Sequence, residues 1–332
     1  MTNPSRIISL ASAFYDSQVL FTASDLNIFG ILSELGSADV AAVAESAALN
    51  PRGARLLLDA CVSLDLLSKH GDMYANTPES ALFLVPGSPG DLSQAIRYNR
   101  DVYEAWGKLP DLIKTGQPVE RPETHLGEDS DRTRTFVLSM HGRALGMGRL
   151  LIPQLDLEDC RQILDVGGGP GTYSVLIAQR YPELSSTIID LPGVAAVADE
   201  LIVQQGMSDR VKTLPGSYHD TAFPEGNDAV LFLGVLHQES PEDITALFKK
   251  AYASLKPGGK VYVMDMMTDE THTKPAFSAL FAVNMALTTT NGWVFSDAEL
   301  KGWLTEAGFS GFSVAPLPPP MPHWLATVVK ER

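Results

Sequence analysis

Apolar residues recur at helical spacing through the first third of the chain and in short, almost unbroken runs through its last half. Between Ile7 and Leu32 they fall at Ile8, Ala11, Phe14, Tyr15, Val19, Leu20, Ala23 and Leu26, the three-and-four step of an amphipathic helix. Asn3-Pro4 reads as its start, because Asn caps a helix and Pro suits the first helical position. Ser37 reads as the cap of a short helix through Ala48. Asn50-Pro51 opens another, from Arg52 to Leu67, with Leu56, Leu57, Ala60, Leu64 and Leu67 on one face. Lys69 to Tyr74 reads as a tight hairpin around Gly71-Asp72. A helical stretch around Asp91 to Leu109 follows. Gln117 to Ser130 is polar, holds two prolines and reads as an exposed connection. A long helix is predicted from about Asp131 to Leu151, carrying Phe136, Met140 and His141.

From Arg161 the period changes. Strands are predicted at Gln162–Asp165, Thr187–Asp190, Val211–Leu214, Ala229–Leu236 and Lys260–Met264, with helices between them, notably Pro241–Leu255. Such alternation implies a mostly parallel sheet with right-handed crossovers, a doubly wound α/β domain. Helices near Lys274–Leu287 and Ser296–Ala307 follow, and the runs Phe312–Ala315 and Leu325–Val329 suggest an antiparallel hairpin. The expected division is a mainly helical part over 1–110, a connection and linking helix over 111–155, and the α/β domain over 156–332.

The centre of that domain is Ile163-Leu164-Asp165-Val166-Gly167-Gly168-Gly169-Pro170-Gly171-Thr172: an apolar run, an acid, a glycine-rich turn, then a helix. A nucleotide would lie across the carboxyl end of such a strand, and glycines are needed where side chains would hold it off the backbone. The dinucleotide pattern G-x-G-x-x-G fails, since from Gly167 its last position is Thr172. Asp165 would also repel a pyrophosphate. It suits a ligand with a cationic amine and no phosphate, and S-adenosylmethionine (SAM) is such a ligand, with S-adenosylhomocysteine (SAH) as product. Asp190, ending the second run, is placed to take both hydroxyls of a ribose.

Composition narrows the partners. The 332 residues carry a net charge of −15, with 45% hydrophobic and 20% charged residues, which fits a soluble globular chain and opposes a nucleic-acid or anionic-membrane surface. Helix, helix and hairpin at the start outline a winged helix, a common DNA reader. Yet residues 1–90 hold only Arg6, Arg52, Arg55 and Lys69 against Asp16, Asp25, Glu34, Asp39, Glu45, Asp59, Asp65, Asp72 and Glu79, the wrong balance for that task. Dimerisation is the expected use. No run is long enough to span a membrane, the start lacks a signal peptide's pattern, and Cys61 and Cys160 offer neither metal spacing nor a disulfide framework. A cytoplasmic chain without a metal is expected.

These residues resemble a known family. Asp165-Val-Gly-Gly-Gly-Pro-Gly171, Ile189-Asp190-Leu191-Pro192, Val235-Leu236-His237, Leu255-Lys-Pro-Gly-Gly259 and Glu306-Ala-Gly-Phe309 are similar to the class I SAM-dependent methyltransferases of the caffeic-acid and acetylserotonin O-methyltransferase type. The likeness covers essentially the whole chain, and it implies a Rossmann-like methyltransferase domain behind a winged-helix-like dimerisation region, assembled as a homodimer. It implies a general base at His237 and an orienting carboxylate at Asp265. A phenol titrates near 10 and histidine near 6.5, so such a base would take the proton as the oxygen attacks. The cofactor set implied is Asp165, Gly167, Gly168, Gly169, Gly171, Asp190, Leu191, Ser217 and Tyr218. For the acceptor pocket the candidates are Met140, His141, Phe281, Asn284, Met285 and Trp293.

The chain also departs from the family. The usual His-Asp-Trp is His237-Gln238-Glu239, a second carboxylate is replaced by Val294, the acid near the adenine by Ser217, and a basic residue before the histidine by Leu233. The leading expectation is a methyltransferase acting on a phenolic or enolic hydroxyl of a small apolar metabolite. The alternatives are C-methylation of an activated aromatic or tetrapyrrole-like carbon, and a SAM-binding homologue that regulates without methylating.

Overall fold

The computed structural model describes residues 3–120, 127 and 129–331. Half of the predicted connection Gln117–Ser130 therefore lies outside the described residues. The chain forms two compact units, residues 1–101 and 102–332, so the division falls before the expected 110 and the long helix Ser130–Leu151 belongs to the second unit.

In the first unit, helices Phe14–Asp25, Ile28–Leu35, Val40–Ser46 and Pro51–Ser63 precede a hairpin of β1 (Leu67–His70) and β2 (Met73–Asn76). Ile28, Phe29, Leu32, Val43, Leu58, Cys61 and Tyr74 fill its core. The single long helix predicted from Ile7 to Leu32 is instead three: Ser5–Ser12, Phe14–Asp25 and Ile28–Leu35. The sharpest break is at Asn27, whose φ of 52° is left-handed. Its carboxamide lies where Gly30 would carry a side chain, with Oδ1 2.3 Å from the position of a Cβ. Ser37 is not the cap expected of it. Ala38 pairs with Tyr74 in both directions, which draws it into an extended bridge, and Asp39 caps the next helix through Ala42 N–H. Asn50 does cap its helix, accepting from Gly53 N–H. That helix ends at Ser63, short of the predicted Leu67, which instead begins β1. The first helix buries nothing, leaving Ile7, Ile8 and Leu10 exposed.

In the second unit, β3 (Gln162–Val166), β4 (Ser185–Asp190), β5 (Val211–Pro215), β6 (Asn227–Leu233), β7 (Leu255–Asp265), β8 (Ser310–Pro316) and β9 (Trp324–Val329) form one sheet in the order β5-β4-β3-β6-β7-β9-β8. The first five are parallel, and β9 runs antiparallel to both β7 and β8. The predicted strand Ala229–Leu236 stops at Leu233, because Gly234 turns the chain at φ 82° and Leu236–Gln238 closes a 3-10 turn. β7 runs longer than predicted, since Leu255 pairs with Asn227 before a register shift.

Alternate residues of the strands feed two cores, as the period of a sheet covered on both faces requires. Val230 and Phe232 pack with Ile244, Leu247 and Phe248 on one side, and Ala229, Leu231 and Leu233 with Leu151, Tyr173 and Ile177 on the other. The chain lays β3, β4 and β5 outward, then returns to set β6 beside β3. The crevice at the carboxyl ends of β3 and β6 is therefore the topological switch point, where such sheets bind ligands.

Phe232 is fully buried and meets Phe248 edge to face at 5.4 Å between ring centroids. Phe232→Ala should cost about 3–5 kcal/mol of stability through lost burial and the cavity left behind. Urea unfolding followed by circular dichroism checks this, and a loss below about 1 kcal/mol would contradict it.

Candidate active site

The carboxyl ends of four strands, β3, β4, β6 and β7, build the site. β3 hands the chain to the glycine loop, whose first amide donates from Gly167 N to Ile189 O at 2.8 Å, drawing the loop over the end of β4. Gly167 has φ 65°, and a Cβ there would stand 2.6 Å from Val235 Cγ2 and 3.4 Å from Tyr218 Cε1. At Gly168 a Cβ would meet the Asp165 carboxyl at 2.7 Å. The loop must therefore be bare to lie this close to its neighbours. Gly171 precedes the helix Thr172–Arg180, and that helix start is held from outside by His141, whose Nδ1 lies 2.7 Å from Thr172 Oγ1.

Asp165 is fully buried. Its Oδ2 accepts from Ser174 Oγ at 2.6 Å, while Oδ1 has no hydrogen-bond partner. Burial, reinforced by the Asp190 charge and opposed by Ser174, pushes its pKa up to about 6. Asp190 is half-buried and accepts from Gly169 N at 2.7 Å and Leu191 N at 2.8 Å. Burial lifts it to about 6 as well, against those two bonds. A buried acid aimed at the underside of the loop and lacking a donor at one oxygen fits a ligand with an ammonium group.

His237 stands in the 3-10 turn after β6. Its Nδ1 lies 2.7 Å from Asp265 Oδ1, and its backbone N donates to Asp265 Oδ2 at 3.2 Å. Met266 N donates to the same carboxyl at 2.8 Å. An ionised carboxylate only accepts, so this pairing places the ring hydrogen on Nδ1 and leaves the lone pair on Nε2. The Phe281 ring stands edge to face with the imidazole at 5.2 Å.

The remaining candidates divide. Ser217 turns the chain after β5, its carbonyl accepting from Asp220 N and Thr221 N. Tyr218 follows, its hydroxyl donating to Glu239 Oε1 and accepting from Gln238 Nε2 at 2.9 Å. The Lys250 ammonium caps this loop by donating to the carbonyls of Tyr218, His219 and Thr221. Met285 is buried one turn beyond Phe281, and Met140 is half-buried on the long helix. Asn284 is buried on the helix that carries Phe281 and Met285, and its Oδ1 accepts from Trp106 Nε1 at 2.9 Å. Trp293 packs against Phe295 and Trp303, and its backbone and indole N–H groups hold the carbonyls of His237 and Glu239 at 2.9 and 2.8 Å. Val294 is buried.

Two residues escaped the sequence reading as site components. Glu239 is buried beside the base, and its only sequence signal was its departure from the expected tryptophan. His323, 6% exposed just before β9, has an unpartnered Nδ1 and lies within electrostatic reach of Asp265 and His237. Burial holds it down to about 4, so it stays neutral at physiological pH. It was invisible because only β7–β9 pairing, with Trp324 opposite Asp265, brings it there.

A class is thereby defined: a doubly wound domain with a phosphate-free nucleotide crevice and a histidine–carboxylate pair at its lip. Residues 120–310 match the O-methyltransferase domain model and residues 8–86 the O-methyltransferase dimerisation domain model. The chain is 31% identical over 314 residues to the 3-hydroxy-5-methyl-1-naphthoate 3-O-methyltransferase of Streptomyces sahachiroi, covering 92% of this chain and 90% of that one. It is 32% identical to the acetylserotonin O-methyltransferase of Mus musculus, over 92% and 83% of the two chains. Human N-acetylserotonin methyltransferase, solved in complex with SAM, superposes at a TM-score of 0.89 with 27% identity, over 100% of this chain and 99% of that one. The chain belongs to the SAM-dependent O-methyltransferase family, and it is an enzyme of that class.

The buried acid makes a stability prediction. An Asp whose folded pKa is raised contributes stability that is full below about 3.8 and is lost as pH rises through about 6. Asp165→Asn should therefore raise the stability of the ligand-free protein at pH 8, by on the order of 2–3 kcal/mol for a shift of this size, and change it little at pH 4. Thermal melts across that range test it. A variant less stable at pH 8 than at pH 4, relative to the parent, would overturn it.

Proposed function

We propose that this O-methyltransferase acts on a phenolic or enolic hydroxyl of a planar, largely apolar small molecule, with His237 as general base and Asp265 as its orienting carboxylate. The observation that carries the reading is the His237–Asp265 pair at 2.7 Å, set at the switch crevice beside the glycine loop. The donor supplies an electrophilic methyl group on a sulfonium, a strong leaving group. The chain's own task is then to hold an oxygen in line and remove its proton. With Nδ1–H donated to Asp265, Nε2 is free to accept that proton as the oxygen attacks. Asp265 stabilises the imidazolium that results. Phe281 against the imidazole, with Met285 and Met140, supports an apolar cradle for a flat acceptor.

For the cofactor, the reading gives Asp190 to the ribose hydroxyls, Asp165 to the methionine amine, and Gly167, Gly168, Gly169, Gly171 and Leu191 to close backbone contact. Ser217 and Tyr218 would border the adenine. His141 acts through Thr172, as a positioning residue at the helix start. The first unit is read as a winged-helix-like dimerisation domain. Its acidic surface favours this over nucleic acid, and exposed Ile7, Ile8 and Leu10 favour a homodimer built through the first helix. Among the described residues no helix is long and apolar enough to cross a membrane, and a cytoplasmic site of action agrees with the free cysteines.

His237→Ala should leave SAH affinity within about threefold while methyl transfer falls by roughly 10²–10⁴, the usual worth of a positioned base. The loss should shrink at high pH, where a phenol ionises unaided, and Asp265→Asn should cost less. Calorimetry with SAH and transfer to hydroxynaphthoates and N-acetylserotonin measure both quantities. An Ala variant that methylates at the parent rate near neutral pH would sink the assignment. Light scattering should give twice the monomer mass of 35.8 kDa, and a monomer at micromolar concentration would refute the dimer.

A further inference from the structure

His237 is not served by Asp265 alone. Two residues along the same turn, Glu239 is buried, with 5% of its surface exposed, and burial disfavours its charged form. It is held there by a built network. Tyr218 donates its hydroxyl to Oε1, His219 Nε2 lies 3.1 Å from Oε2, and Gln238 donates to the same tyrosine hydroxyl at 2.9 Å. The backbone is fixed as tightly: Glu239 N donates to Leu236 O at 3.0 Å, and Trp293 holds the carbonyls of both His237 and Glu239. A buried carboxylate costs stability unless it is paired, so a network of this size around a residue next to the base calls for a reason.

We propose that Glu239 is a second carboxylate for His237: a positioning residue, locked by Tyr218, that stabilises the protonated imidazole and fixes the turn presenting it. This rests on the reading of His237 as the base. Among the described residues, the ionisable groups within electrostatic reach of that ring include Asp265 at Nδ1, Glu239 on its own turn and, from the approach to β9, His323, which itself feels Arg143. His323 is neutral across the working range, so the negative charge comes from the two acids. Around Glu239 stand Tyr218, His219 and Asp243. Burial raises the Glu239 pKa, while the Tyr218 donor and the positive forms of His219 and His237 lower it. Coupling between two sites is reciprocal, so an ionised Glu239 favours protonated His237 by the same amount. The proton leaving the acceptor oxygen thus goes to Nε2 of a ring flanked by two carboxylates rather than one. Tyr218 also lies against the glycine loop, 3.4 Å from where a Gly167 Cβ would be, so the strut that holds Glu239 is braced on the cofactor loop.

The test uses the full chain saturated with SAH, with ring-labelled histidine and the His237 resonance identified by its loss in His237→Ala. Glu239→Gln should move the His237 titration midpoint to lower pH by roughly half a unit to one unit, as removal of a nearby negative charge requires. Tyr218→Phe should move it the same way by less, because Glu239 without its donor protonates more readily. The acid limb of the rate profile on hydroxynaphthoates should follow. Calorimetric SAH binding shows which variants are folded. An unmoved midpoint in a variant that still binds SAH overturns the proposal, even if its rate is low, because that is what loss of shape alone would give. The titration needs no acceptor, so a moved midpoint in a protein that transfers no methyl group would count against the proposed reaction and for the role of Glu239.

Discussion

The carboxylate of Asp265 closes the gap between two strand ends that the sheet itself leaves open. β6 stops at Leu233 and β7 at Asp265, and the last main-chain bond between them runs from Gly234 N to Met264 O. Three donors converge on this one side chain: the ring and backbone of His237 and the amide of Met266. The turn after β6 is thereby pinned to the end of β7, and the imidazole inherits a fixed tautomer and a fixed direction. Without that pin the turn would depend on Trp293, through its bonds to the carbonyls of His237 and Glu239, and on Tyr218, through the side chains of Gln238 and Glu239.

On the other side of the crevice a comparable economy holds the nucleotide loop. Asp190 ends β4 and accepts the amides of Gly169 and Leu191, so one acid sets the path of both the glycine turn and the next helix. Asp165 lies beneath, buried and only half satisfied. The two acids repel one another and both are desolvated, which explains why their protons are held unusually firmly. The site keeps this electrostatic tension where a cationic ligand would relieve it, a familiar exchange of folding stability for function.

What could be read in the sequence was what is local. The glycine spacing, the acids at the strand ends and the histidine after β6 all follow from a residue and its near neighbours. The mostly parallel sheet followed from period, and the late antiparallel hairpin from two apolar runs. The misread elements depend on partners far along the chain. Ser37 looked like a cap, but Ala38 is claimed by Tyr74 across the unit. His323 comes near the base only once β9 is laid beside β7, and Glu239 finds its partners only once the loop after β5 meets the turn after β6. Nothing in its immediate sequence marks His323, and Glu239 shows only as a departure from the expected tryptophan.

Lys250 adds a consequence of a different kind. Its ammonium is bound to the carbonyls of Tyr218, His219 and Thr221, and it packs over the Phe223 ring. Main-chain carbonyls are present whatever the side chain, so the grip is blind to the identity of those three residues. The loop after β5 can exchange its side chains over evolutionary time without shifting its course. The course of this loop is thus set from outside it, so substitutions there need not shift its path, while the side chains of Tyr218 and His219 stay committed to their bonds with Glu239.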